Sequence, residues 1–318
     1  MNDTLWSLLK IVIVLGGVMF IAPGLIMVER WLLALWQDRW GPNRVGPVGL
    51  LQLPADMVKL FFKEDWTPPF ADRAVFTAAP AIVLMAALLS FAVVPVAPGL
   101  HVVDMNIALL FFLAMSSMAV YSIALGGWAS NSKYPLLGSL RAVGQMVSYE
   151  VFMGLSLMGV VVQAGSFSLV DIVEAQKGLW FCIPQFVGLV VFLIAGLAET
   201  RRLPFDLPEG ENELVAGFHS EYSGMKFAVF FVGEYVGITL ISALVVTLFF
   251  GGWMGPGLPP VLWFLGKMMV LIVLFILVRG SLPRLRYDQL MGLGWKVMFP
   301  LSLANLLITG AIVLARGG

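Results

Sequence analysis

The sequence predicts an all-α integral membrane protein of about eight transmembrane helices, with one further amphipathic helix lying in the membrane interface. Of its 318 residues, 60% are hydrophobic and 12% charged, at a mean hydropathy of +0.94. Charged residues make up about a quarter of an ordinary soluble domain. Apolar runs recur at close to the roughly 20 residues that cross a bilayer as a helix. Basic residues crowd the loops on one side of those runs and are scarce on the other.

The runs fall at about 5–28, 74–95, 106–128, 142–163, 182–198, 227–250, 260–279 and 294–315, divided by Pro/Gly breaks or by charge. The first is too long for a signal-peptide core and has no small-residue cleavage site behind it, so it is expected to be a retained helix. Connectors such as 95–104 and 251–260 are short, which implies one compact polytopic domain over 1–318. No internal repeat stands out, which gives no support to an inverted-repeat transporter plan.

Orientation follows from the bases. Fifteen of the 19 Lys and Arg lie in or beside the loops at about 29–73, 129–141, 199–226 and 280–293, against Lys10, Lys177, Lys267 and Arg316 on the other side. The positive-inside rule makes those four loops cytoplasmic and puts both termini outside. Within the first loop, Pro54 sits where a helix tolerates it, in the first turn. Gln52, Asp56, Lys59 and Lys63 then share one face, and Leu53, Met57, Leu60 and Phe61 the other. That is the pattern of a helix lying in the interface; a surface helix packed on a soluble partner is the competing reading.

An ionisable group inside a bilayer is costly, so Glu150 and Glu234 are candidate functional acids. With helices starting near 142 and 227, both carboxylates are expected at about 12–14 Å depth, each beside a tyrosine (Tyr149, Tyr235). Desolvation and mutual repulsion would favour protonation near neutral pH. The plainer alternative is structural hydrogen bonding between helices, although such polar contacts are usually uncharged. Glu29 and Glu199 are placed at the basic ends of the first and fifth runs. The densest loop carries Glu199, Asp206, Glu209, Glu211, Glu213 and Glu221 against Arg201, Arg202 and Lys226. A solvated acidic loop is one reading of it. Pro204, Phe205, Pro208, Leu214, Val215 and Phe218 support the other, in which the loop folds into a cavity and its acids influence each other.

Cys182 is the one cysteine, and His101 and His219 both fall in loops. No disulfide, metal site, iron–sulfur cluster or haem is therefore expected in this chain, and any redox centre must belong to a partner. No P-loop, dinucleotide fingerprint or Ser/His/Asp arrangement appears.

Several stretches resemble the H-subunit family of bacterial proton-translocating NADH:quinone oxidoreductase (complex I), whose mitochondrial counterpart is the first subunit of NADH dehydrogenase. They are Glu29-Arg30, Gly41-Pro42-Asn43-Arg44-Val45-Gly46-Pro47, Ala55-Asp56-Met57-Val58-Lys59, Ser148-Tyr149-Glu150 and Ala198-Glu199-Thr200. The strongest is Pro204-Phe205-Asp206-Leu207-Pro208-Glu209-Gly210-Glu211 with Glu213-Leu214, followed by Glu221-Tyr222, Glu234-Tyr235 and Arg284-Leu285-Arg286-Tyr287-Asp288.

The resemblance implies eight helices with a tilted first one, in the bacterial inner membrane with periplasmic termini. It implies quinone as substrate, and FMN and iron–sulfur clusters carried by partner subunits. The partners would be the hydrophilic arm, small membrane subunits and antiporter-like subunits. Glu29, Arg30, Arg39, Asp56, Phe205 and Asp206 would line the quinone chamber or its entrance. Glu209, Glu211, Glu213 and Glu221 would form the coupling loop, and Glu150, Glu199 and Glu234 the start of a proton path. Arg201 and Arg202 receive no role. The rivals are the related membrane component of a membrane-bound hydrogenase or ferredoxin-type complex, and a standalone ion channel or transporter.

Overall fold

The computed structural model describes residues 3–316, with Asp3, Thr4, Glu211 and Asn212 described through their backbone alone. Its regular structure is helical, with no β-strand among the described residues. The chain opens with α1 (Asp3–Trp36), the amphipathic α2 (Gln52–Phe62), α3 (Arg73–Phe91) and α4 (Ala108–Ala129). Then α5 (Lys133–Ala164) leads through the short α6 (Leu169–Ala175) to α7 (Phe186–Glu199). A single turn, α8 (Glu211–Leu214), interrupts the loop before α9 (Gly224–Phe249). Finally α10 (Pro260–Ser281) precedes α11 (Tyr287–Leu293), which runs through a π-helical stretch, Gly294–Met298, into α12 (Phe299–Ala315). Among the described residues seven spans are long and apolar enough to cross a bilayer, α11 to α12 counting as one, and α7 is a shorter apolar helix.

Several boundaries differ from the sequence expectation. α1 continues to Trp36, so Glu29 and Arg30 lie within a helix and not in a loop. At about 51 Å its 34 residues exceed a hydrocarbon core of about 30 Å, so it must tilt or project. α5 starts at Lys133, nine residues before the expected 142, because Pro135 is tolerated in a first turn. Its polar start conceals the periodicity. α7 begins only at Phe186, since Pro184 disfavours helix in the residue before it. The stretch ahead of it is instead tied to the end of α9 by the Cys182 amide, which donates to the Phe249 carbonyl at 2.8 Å. The last loop is likewise shorter than expected, because α11 begins at Tyr287.

α9 is the axis of the bundle. Of its spanning window 78% is buried, against 17% for the final span, and it packs on α1, α3, α7 and α10. Its position gives Glu234 the most enclosed environment a spanning helix offers here, while the apolar outer faces of α10 and α12 suit lipid.

Candidate functional site

The site forms where the loop after α7 folds back under the ends of α1, α5 and α9. Its anchoring begins with a proline. Pro80 in α3 has no N–H, which leaves the Phe76 carbonyl without its helical partner. The Tyr222 hydroxyl donates to that carbonyl at 3.2 Å, and its ring stacks on Phe76 with centroids 3.9 Å apart. Nearer the loop's middle, Gly217 adopts φ +60°, and a side chain there would overlap the Pro208 carbonyl. Gln145 of α5 donates to the Ala198 and Phe205 carbonyls at 2.8 and 2.9 Å, closing the loop on α5. The loop is therefore packed down into the bundle, the second of the two readings its residues allow.

Arg201 turns the chain left-handed at φ 54°, a conformation that helix ends usually give to glycine. From that turn Arg201 and Arg202 enter the protein interior. Arg202 lies 3.6 Å from Glu29 of α1 and 3.6 Å from Glu234 of α9, and Arg201 lies 3.7 Å from the other oxygen of Glu234. Glu29 also pairs with Arg279 of α10. The Arg202 guanidinium sits 4.5 Å over the Tyr235 ring, and Arg201 5.2 Å from that of Phe218. Both arginines and both acids have side chains at most 8% exposed. Burial acts against the charge on Arg202, but Glu234, Tyr235 and Glu209 hold its proton more firmly than usual.

Around this core the loop acids divide. Burial, with the Glu234 and Asp206 carboxylates, pushes the Glu209 carboxyl up to about 9, against the pull of Arg201. Glu213 points outward to Arg141 at 2.5 Å, a hydrogen bond that holds its carboxyl below the usual range, with Arg284 3.9 Å away. Of Glu211 only the backbone is described, and Glu221 is half-buried beside the anchored Tyr222. Phe205 is buried against Tyr149, and Asp206 is within electrostatic reach of Glu209.

On the inner side lies a cavity of about 60 Å³ between α3, α4, α5, α7 and α9, lined in part by Ser90, Ser116, Glu199, Arg201 and Glu234. That volume admits water, given that one needs roughly 10–15 Å³ on this measure. Glu199 Oε2 and the Nε and Nη1 of Arg201 are buried there without a hydrogen-bond partner. Glu150 accepts from Ser116 and Ser117 at 3.4 and 3.2 Å, and its charge reaches Glu199. The three acids thus share one polar region. Glu150 lies 17 residues after Lys133 and Glu234 10 after Gly224, about 26 and 15 Å from the starts of their own helices. The early start of α5 causes the difference. Tyr149 is also no partner of Glu150, since its hydroxyl donates to the Leu290 carbonyl at 3.1 Å.

Between α1, α2 and α9 lies a larger cavity of about 530 Å³. Leu53, Met57, Leu60 and Phe61 of α2 line it, together with Phe227 and Phe231 of α9. Arg30, Asp56 and Lys59 supply its polar rim. Arg30 donates to Asp56 at 2.8 Å, joining α1 to α2. Burial would raise the Asp56 carboxyl, but hydrogen bonds from Arg30, Gln52 and Lys59 hold it below its ordinary range. Arg39 lies apart, exposed and bonded to Gln37. Phe205 and Asp206 do not line this cavity either.

Two comparisons bear on this arrangement. A model of the NADH dehydrogenase family matches residues 9–310. The chain belongs to this family. It is also 62% identical, over 95% of its own length and 96% of the relative's, to a protein from Methylococcus capsulatus (strain Bath) that is named as the H subunit of NADH-quinone oxidoreductase. For this member of the NADH dehydrogenase family, Arg201, Arg202 and Arg279 are site residues that sequence patterns alone did not single out. One signal for them was available. Carboxylates buried in a membrane protein need counter-ions, and an arginine pair directly follows the helix that ends in Glu199.

Proposed function

We propose that this chain is the membrane subunit of a proton-translocating NADH:quinone oxidoreductase that forms the membrane half of the quinone chamber and couples quinone reduction to proton movement. One observation carries the reading: the apolar cavity between α1, α2 and α9 is rimmed by Arg30 and Asp56, and Arg30 directly follows Glu29 of the buried charge cluster. An isoprenoid tail suits the apolar walls, and a polar headgroup suits the charged rim.

Quinone reduction takes two electrons and two protons. The electrons would come from an iron–sulfur cluster in a docked hydrophilic arm that also carries FMN. This chain would contribute the amphipathic passage and acids whose protonation follows the charge near them. The loop acids Glu209, Glu211, Glu213 and Glu221 would sense that charge. Glu234 and Glu199 at the water-sized cavity, with Glu150 next to them on Ser116, would pass the response toward antiporter-like partners. The 15 bases at the loop-bearing end support a cytoplasmic loop face, periplasmic termini and insertion in a bacterial inner membrane.

Ala228 lines the apolar cavity, and Ala228→Trp would fill it while leaving every charged group in place. In assembled complex the variant is expected to lose most reductase activity with a long-tailed quinone and to keep more with a short-tailed one. Unchanged turnover with both quinones would refute the assignment of that cavity.

A further inference from the structure

α2 is the loosest wall of the apolar cavity. Among its described residues none is buried, and it packs on α1 and α9 from one side. Its place therefore depends on what ties it down. One tie is the Arg30–Asp56 hydrogen bond at 2.8 Å, which joins it to α1. The other lies just past its C-terminal end. At Lys63 the chain becomes extended and runs against the first turn of α9. There the Lys226 ammonium stands 3.1 Å from the Asp65 carboxylate and donates to the Thr67 hydroxyl at 2.8 Å. Gly224 permits the approach. It adopts φ +54°, and a Cβ on it would stand 3.3 Å from the Lys63 carbonyl oxygen and 3.5 Å from that of Glu64.

This is more than a surface ion pair. The Lys226 side chain is only 13% exposed, so its charge is held by the partners around it and not by open water. The ammonium also lies 5.3 Å from the centroid of Phe76, the ring on which Tyr222 stacks. The chain neighbours of Lys226, Met225 and Phe227, line the cavity, as do Phe61 and Phe62 at the end of α2. The clasp thus joins the two cavity walls where α2 ends. None of its three residues belongs to the ion pairs around Glu234.

We infer that Lys226 is a positioning residue for the substrate passage: its clasp on Asp65 and Thr67 fixes the C-terminal end of α2 and sets the separation of the α2 and α9 walls for a long quinone tail. This rests on the function proposed above. With the clasp closed, an apolar tail enters a wall that is already ordered. With it open, binding must first order the end of α2, and that cost weakens binding of any tail long enough to touch it. A short-tailed quinone does not meet this cost. The charge cluster is untouched, so turnover of bound quinone is unaltered.

The test measures KM and kcat of the assembled complex in membranes with a long-tailed and a short-tailed quinone. The amount of complex is normalised by NADH oxidation with an artificial acceptor. Lys226→Met is expected to raise KM for the long-tailed quinone roughly fivefold, the scale of one charge-assisted hydrogen bond. Its kcat should stay within about twofold of the wild type, the pattern of lost uniform binding. KM for the short-tailed quinone should hardly move, and Lys226→Arg should recover the wild-type value. Asp65→Asn should shift KM in the same direction, and adding it to Lys226→Met should raise KM no further. Asp65 is half-exposed, so this variant carries the test should Lys226→Met not assemble. An unchanged long-tailed KM, an equal rise for both quinones, a loss confined to kcat, or a defect that Lys226→Arg leaves in place would overturn the clasp. The clasp alone falls if Ala228→Trp impairs the long-tailed quinone and Lys226→Met does not. If Ala228→Trp spares both quinones, the cavity assignment itself falls.

Discussion

The two ends of the bundle handle buried polarity in opposite ways. Away from the site, Gln176 and Lys267 hold the connection from α9 to α10 through several short hydrogen bonds each. Gln176 donates to the Ile172 and Thr247 carbonyls at 3.1 and 2.9 Å and accepts from the Gly251 and Phe181 amides. Lys267 gives its ammonium to the Phe250, Gly252 and Met254 carbonyls at 2.6–3.1 Å, with Trp180 and Trp263 on either side. At the site, the ion pairs of Arg201 and Arg202 are 3.6–3.7 Å long, and both Nε atoms lack partners. A saturated network fixes one geometry, whereas a loose one can rearrange at small cost when a charge arrives or a proton leaves. The difference separates polarity that holds the fold from polarity available for function.

Arg202→Met should have the largest effect. It removes the charge shared by Glu29 and Glu234, although Arg279 and Arg201 still face one acid each. A loss of about 3 kcal/mol is expected, toward the lower end for a broken buried pair. Thermal unfolding of the assembled complex would measure it, and the added Glu29→Gln change should recover part of the loss. A fully stable Arg202→Met would mean that the cluster is not coupled. Lys267→Met probes the other end and should cost about 2 kcal/mol through its lost charge-assisted hydrogen bonds. Turnover per assembled complex should stay at the wild-type level. A fall in that turnover would break the division between the two ends.

How much of this the sequence disclosed follows the same division. Runs of apolar residues identified the spans, and the amphipathic spacing of α2 selected the four side chains that now line the larger cavity. Periodicity signals burial directly, so those features were legible. The start of α5 was not, because residues 133–141 are mixed in polarity and read as loop, and Arg141 among them faces the folded-down loop at Glu213. The roles of Arg201 and Arg202 were hidden for a related reason. Two arginines after a helix usually snorkel to the interface, and only the backbone turn at φ 54° directs these two inward. Glu234 was found by its cost in lipid, but its partners Arg201 and Arg202 come from the loop after α7, contacts that no local spacing encodes.

The smallest expected effect concerns Glu209, which belongs to the loose network yet lies outside the spanning helices. Its carboxyl is raised from 4.5 to about 9 in the folded protein, so folding favours its protonated form. The resulting stabilisation is complete below the unfolded value, shrinks as pH climbs and is gone above the folded value. Between about pH 7 and 9 the wild-type complex should therefore lose most of what remains of this contribution. Glu209→Gln, which keeps a neutral side chain at all pH, should show a flatter decline. Identical slopes for the two proteins would mean that Glu209 is already ionised and paired at neutral pH. The loop would then resemble the saturated end of the bundle, and its capacity to answer a nearby charge would have to lie in Arg201 and Arg202 alone.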